Sequence, residues 1–93
     1  MNVDKAKKRI AKKVKNGFKG YPLVTITYFG RDKNMATEVT ISYLQDENEE
    51  LQVQRFKCEN EIREDEVIQS VLLKIIERSD SMSVVELDGV IPL

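Results

Sequence analysis

The residues with the clearest chemical potential are cationic. Lys5, Lys8, Arg9, Lys12, Lys13 and Lys15 crowd together near the start of the chain, with Lys7 among them, and Asp4 is the one acid in the first twenty residues. Closely spaced ammonium and guanidinium groups suit contact with a polyanion, because each phosphate or carboxylate they neutralise releases counterions. These six are therefore the candidate contacts for a polyanion or an acidic partner. The competing reading is a solvated helix whose charge is offset by the rest of the chain. Fifteen acids beyond residue 20 place that reading first, contact with nucleic acid second and contact with an acidic protein third.

Other chemistries are argued against by residue type. There is no histidine, so the commonest general base is missing. Cys58 is the single cysteine, which excludes a disulfide within the chain. It stands between Lys57 and Glu59 near the end of an expected strand and reads as a small buried side chain, not a nucleophile. The acid clusters at 46–50 and 59–66 lack the alternating acids, glycine and terminal Glu of a calcium loop. A four-ligand zinc or iron–sulfur site of Cys and His is excluded. The four glycines are scattered and form no phosphate cradle. The expectation is a protein that is not an enzyme, with no catalytic residue, no cofactor and no metal.

Elements that could position the cations follow from periodicity. The chain has 93 residues, 41% apolar and 33% charged, which fits one soluble domain over residues 1–93. Its net charge of -1 hides a division. Eight bases and one acid give the first twenty residues +7, and seven bases with fifteen acids give the remainder -8. No apolar run is longer than Val71 to Leu73, so neither a membrane span nor a signal-peptide core is expected.

Val3, Ala6, Ile10 and Val14 fall on one face of a helix from about Val3 to Lys15. Asn2 is its expected N-cap, and Asn16-Gly17 its stop. Like-charge pairs such as Lys8–Lys12 weaken this helix in isolation, so it needs the body of the protein. The same stripe is narrow and has no aromatic or leucine anchor, which argues against a membrane surface.

Strands are expected at Leu23 to Phe29, Ala36 to Leu44 and Leu51 to Cys58. The third slips phase, because Leu51 and Val53 share one parity and Phe56 and Cys58 the other. A bulge near Gln54-Arg55 is expected, since it would return all four to one face; the alternative turns Phe56 and Cys58 outward. A second helix carries Val67, Ile68, Val71, Leu72, Ile75 and Ile76 as its apolar stripe, with Asn60 as candidate N-cap. The last strand, about Ser83 to Asp88, turns Val85 and Leu87 to the core.

The order α-β-β-β-α-β predicts an α+β two-layer sandwich, a four-stranded, mainly antiparallel sheet with both helices on one face. A right-handed crossover brings the last strand beside the first, giving the order 3-2-1-4, or less favourably beside the third. The other sheet face would show Thr25, Thr27, Glu38, Thr40, Ser42, Glu86 and Gln52. That face, or a free sheet edge, could meet a protein partner or a second copy.

Two resemblances attach to these residues. Tyr28-Phe29-Gly30, Ala36-Thr37-Glu38-Val39, the run Arg63 to Ser70 and Lys74 to Arg78 resemble those of a group of small uncharacterised bacterial proteins. That resemblance implies a bacterial, cytoplasmic setting and no activity. The order α-β-β-β-α is also similar to that of double-stranded-RNA-binding domains. Those carry a basic cluster at the start of the second helix, where this chain has Glu61, Glu64, Asp65 and Glu66. The resulting expectation is a small cytosolic binding or assembly module, with nucleic-acid binding through the basic helix as the alternative.

Overall fold

Asn2 and the stripe behind it decide where the chain first becomes helical. The computed structural model describes residues 2–93, and helix α1 spans Val3–Lys15. The Asn2 side chain accepts a hydrogen bond from the Lys5 amide at 2.9 Å, so one of the unpaired first-turn donors is met. Ala6 and Ile10 are buried and Val14 is half-buried, while the lysines face out. Gly17 ends the run with a φ of 68°, a conformation that a β-carbon disfavours.

Strands β1 (Leu23–Gly30), β2 (Glu38–Leu44) and β3 (Gln52–Lys57) form an antiparallel meander. A 3-10 turn at Ile62–Glu64 precedes helix α2 (Glu66–Ser79). The chain then adds β4 (Ser83–Glu86) and a short β5 (Ile91–Pro92), both parallel to β1. The strand order is β3-β2-β1-β4, the expected 3-2-1-4. The sheet is mixed and not mainly antiparallel, because β1 pairs in parallel with two strands on one side, and β5 makes a fifth strand where four were expected. Both helices pack on one face, over a core built from Ile10, Ile26, Val39, Leu72 and Ile76. At Gly30 an added β-carbon would lie 2.0 Å from the Met35 carbonyl oxygen, so only glycine lets β1 pass the following loop.

Four expectations change. β3 has no bulge: Val39 pairs with Phe56, Ile41 with Gln54 and Tyr43 with Gln52 in unbroken register. Phe56 and Cys58 turn inward, whereas Leu51 and Val53 stay about half exposed. Gln54 and Gln52 lie on the helix side but are exposed, so nothing there enforces an apolar parity. The parity of β4 is also reversed. Val24 pairs with Val84 and Ile26 with Glu86, which places Val84 and Glu86 on the helix side and Val85 on the open face. Glu86 and Gln52 therefore leave the open face to which they were assigned.

The start of α2 moves as well. Its N-cap is Asp65, whose carboxylate accepts from the Ile68 amide at 2.9 Å, and not Asn60. The helix is rotated relative to the expected stripe: Gln69, Leu72, Leu73 and Ile76 are buried, Ile68, Val71 and Ile75 are half-buried, and Val67 is exposed. No helix is long and apolar enough to cross a membrane among the described residues.

Candidate basic face and adjoining cavity

Thirteen residues of helix extend about 20 Å, and the structure lays Lys5, Lys8, Arg9, Lys12, Lys13 and Lys15 along the exposed side of α1. None of the six forms an ion pair with a carboxylate among the described residues. The one lysine of this segment that does is Lys7, which reaches Glu64. The expected offset of the helix by the acidic body is therefore not a set of direct pairs. The start of α2 remains acidic, with Asp65 as cap and Glu66 in the first turn, so the departure from the double-stranded-RNA-binding pattern holds.

Beside the basic face lies a cavity of about 650 Å³. It runs along the side of α1 that carries Lys8, Ala11 and Lys15. Ile10 and Val14 give it an apolar wall. Tyr28 from β1, Gln69 from α2 and Glu86 from β4 reach it from the other sides. Its volume falls within the roughly 300–1,000 Å³ of small-molecule pockets.

The polar groups of the cavity are held from behind. The Gln69 amide nitrogen donates to the Tyr28 hydroxyl oxygen at 3.1 Å and to the Ile62 carbonyl at 3.2 Å. That fixes the amide orientation. Burial pushes the Tyr28 hydroxyl up to about 12, against the lowering effect of the Gln69 bond, so it stays protonated across the physiological range. Desolvation first, and then the Asp88 charge, raise Glu86 above the usual carboxylate range. Glu86 has no ion-pair partner among the described residues.

The neighbouring 3-10 turn is pinned by Glu61. Its carboxylate accepts from the Ala36 amide at 3.2 Å, from the Arg63 amide at 3.0 Å and from the Arg63 guanidinium. The Arg63 bond is the main cause that lowers Glu61 to about 2, helped by both backbone amides and opposed by desolvation.

These cavity residues escape a reading of the sequence, although two signals exist. Gln69 lies at i, i+3, i+4 and i+7 spacing with Leu72, Leu73 and Ile76, a polar residue on a buried stripe. Glu86 follows Val84 by two positions on a strand, which puts a carboxylate in phase with the core.

Cys58 is half-buried against the core. Its sulfur lies 3.6 Å from an Asp65 carboxylate oxygen as donor and 3.4 Å from the Asn60 amide as acceptor. A thiol reagent is expected to label it more slowly in native protein than in denaturant. Equal rates, followed by absorbance of the released chromophore, would refute this packing.

The open face of the sheet carries charged side chains. There Arg55 lies 5.4 Å from the centre of the Phe29 ring and pairs with Glu38 at 3.2 Å, beside Lys57 at 3.6 Å from the same carboxylate. No set of three or more His, Cys, Asp or Glu side chains is arranged to hold a metal ion among the described residues. Comparison with protein-family models, with curated proteins and with solved structures finds no match for this chain.

Proposed function

We propose that the chain is a non-catalytic binding or assembly module of a bacterial cytosol, and that its contact surface is the outward side of α1, which takes a polyanion. The observation that carries this reading is the pairing pattern. Six exposed cations stand on one helix with no carboxylate paired to them among the described residues, while Lys7, less exposed, is paired with Glu64. Charge that is not held in pairs within the chain is available to an outside anion. The resemblance to small bacterial proteins supports the setting.

Nucleic acid is favoured over an acidic protein by spacing. Lys5, Arg9 and Lys13 follow one another at one helical turn, about 5.4 Å, with Lys8, Lys12 and Lys15 beside them, a line of charge that suits the extended charge of a phosphate backbone. No element is placed to read bases, so binding should be largely independent of sequence. The test is a titration of duplex RNA and of heparin at two salt concentrations. Neutralising Lys8 and Lys12 should weaken both complexes and lower the salt slope by roughly one per lost contact. No detectable complex at low salt, or a slope unchanged in the double variant, would overturn the reading.

A further inference from the structure

The cavity beside α1 holds hydrogen-bonding capacity that the protein does not use. Tyr28 is 5% exposed and Gln69 2% exposed, and both line the cavity. Tyr28 accepts from Gln69, and its own hydrogen has no acceptor among the described residues. Gln69 spends its nitrogen on Tyr28 and Ile62, and no described group donates to its carbonyl oxygen. No fully buried side-chain polar atom lacks a partner among the described residues, so that oxygen is one the cavity reaches. One donor and one acceptor thus stand side by side on a nearly buried wall. The C=O and N–H of one extended residue, which point to the same side of the chain, complement them, the C=O taking the Tyr28 hydrogen and the N–H meeting the Gln69 oxygen.

The remaining walls narrow the ligand further. Lys7 with Glu64, and Arg63 with Glu61, are paired at the rim. That leaves Lys8, Lys15 and Glu86 as the uncompensated charges, a net positive balance. Glu64 reaches Lys7, and Glu61 precedes it in the same turn, so these carboxylates lie toward the Lys7 end of the cavity. An anionic group is repelled from that end and directed toward Lys15, about two helical turns away. Between them Ala11 and Val14 offer apolar surface. The distance from Lys8 to Lys15 is about 10 Å along the helix, the reach of about three extended residues.

We propose that this cavity binds a short peptide with apolar side chains and a free C-terminal carboxylate. The C=O and N–H of one extended residue sit on Tyr28 and Gln69, the side chains rest against Ala11 and Val14, and the carboxylate meets Lys15. Both a free oligopeptide and the tail of a protein carry this chemistry.

The probes are acetyl-Ala-Val-Leu with a free carboxylate, the same peptide as its C-terminal amide, the unacetylated tripeptide, and uridine monophosphate. Binding is read from amide shifts of isotope-labelled protein. The acetylated acid should shift Ala11, Tyr28 and the Gln69 side-chain amide. The C-terminal amide and the Lys15→Gln variant should each bind about tenfold more weakly, the loss of one charge-assisted hydrogen bond. Tyr28→Phe, which removes the donor, should weaken binding, and Ala11→Phe, at an exposed helix position, should close the cavity and abolish binding even if Tyr28→Phe fails to fold. Equal binding of the acetylated and free-amine peptides supports a protein tail as well as an oligopeptide, and a preference for the free amine supports an oligopeptide. No shifts at millimolar peptide, equal affinity of acid and amide, undiminished binding by Ala11→Phe, or shifts at the cavity with uridine monophosphate alone would each overturn the assignment. Heparin binding by Ala11→Phe separates the two proposals, since it leaves all six cations of the polyanion surface in place.

Discussion

Leu72→Ala is expected to lower the unfolding free energy by about 2–5 kcal/mol. Leu72 is fully buried at the centre of α2, in the cluster that joins Ile26 and Val39 of the sheet to Ile10 of α1. Truncation removes methyl groups from contact with both layers, and the surrounding strands cannot collapse into the space without breaking their own register. A domain of this size holds only about 5–15 kcal/mol in total, so the variant should sit near the edge of folding. Ile75→Ala is the internal comparison. Ile75 is half-buried on the flank of the same helix and should cost less than Leu72. Denaturant midpoints at unchanged slope would measure both. A loss below about 0.5 kcal/mol for Leu72→Ala would show that α2 does not face the sheet as described.

Glu61→Ala is expected to cost about 1–3 kcal/mol, for a different reason. The carboxylate is the acceptor for the amide of Ala36, a residue that is fully buried. It also holds the Arg63 amide and guanidinium. The Ile62 amide in turn donates to the Ala36 carbonyl at 2.7 Å, so the 3-10 turn and the start of β2 are tied from both sides. Alanine leaves a buried N–H without its acceptor and frees the turn that carries Ile62 into the core.

Acid should reproduce part of this loss. The folded protein holds Glu61 near 2 against an ordinary value of 4.5, with Arg63 as the chief cause. The native state therefore favours the ionised form, and the contribution is complete above the ordinary value. It declines as pH falls through the interval from 4.5 toward 2, where the unfolded chain takes up the proton first. Stability of the wild type should approach that of Glu61→Ala over this interval. Parallel pH profiles of the two proteins, measured by denaturant titration, would contradict the clamp.

Local physics accounts for what the sequence by itself determined. The span of α1, its Asn2 cap and its outward lysines follow from spacing and from one side-chain acceptor, both confined to neighbouring residues. The existence of α2, the three-strand meander and the strand order follow from periodicity and the right-handed crossover, which need no partner's detail. Tertiary structure decided the rest, because each remaining feature depends on a distant surface. β3 runs without a bulge because the helices leave its Gln52–Gln54 end uncovered, so no buried face demands that Leu51 and Val53 turn inward. β4 takes its parity from register with β1, which brings Glu86 and not Val85 to the helix side. Asp65 caps α2 because a 3-10 turn, held by Glu61 to Ala36, absorbs the residues before it. Lys7 alone of its cluster finds a carboxylate because its direction on α1 points at Glu64, fifty-seven positions away in the chain. The cavity needs Tyr28, Gln69 and Glu86 from three elements that the fold brings together beside α1, and no spacing within any one of them records that meeting.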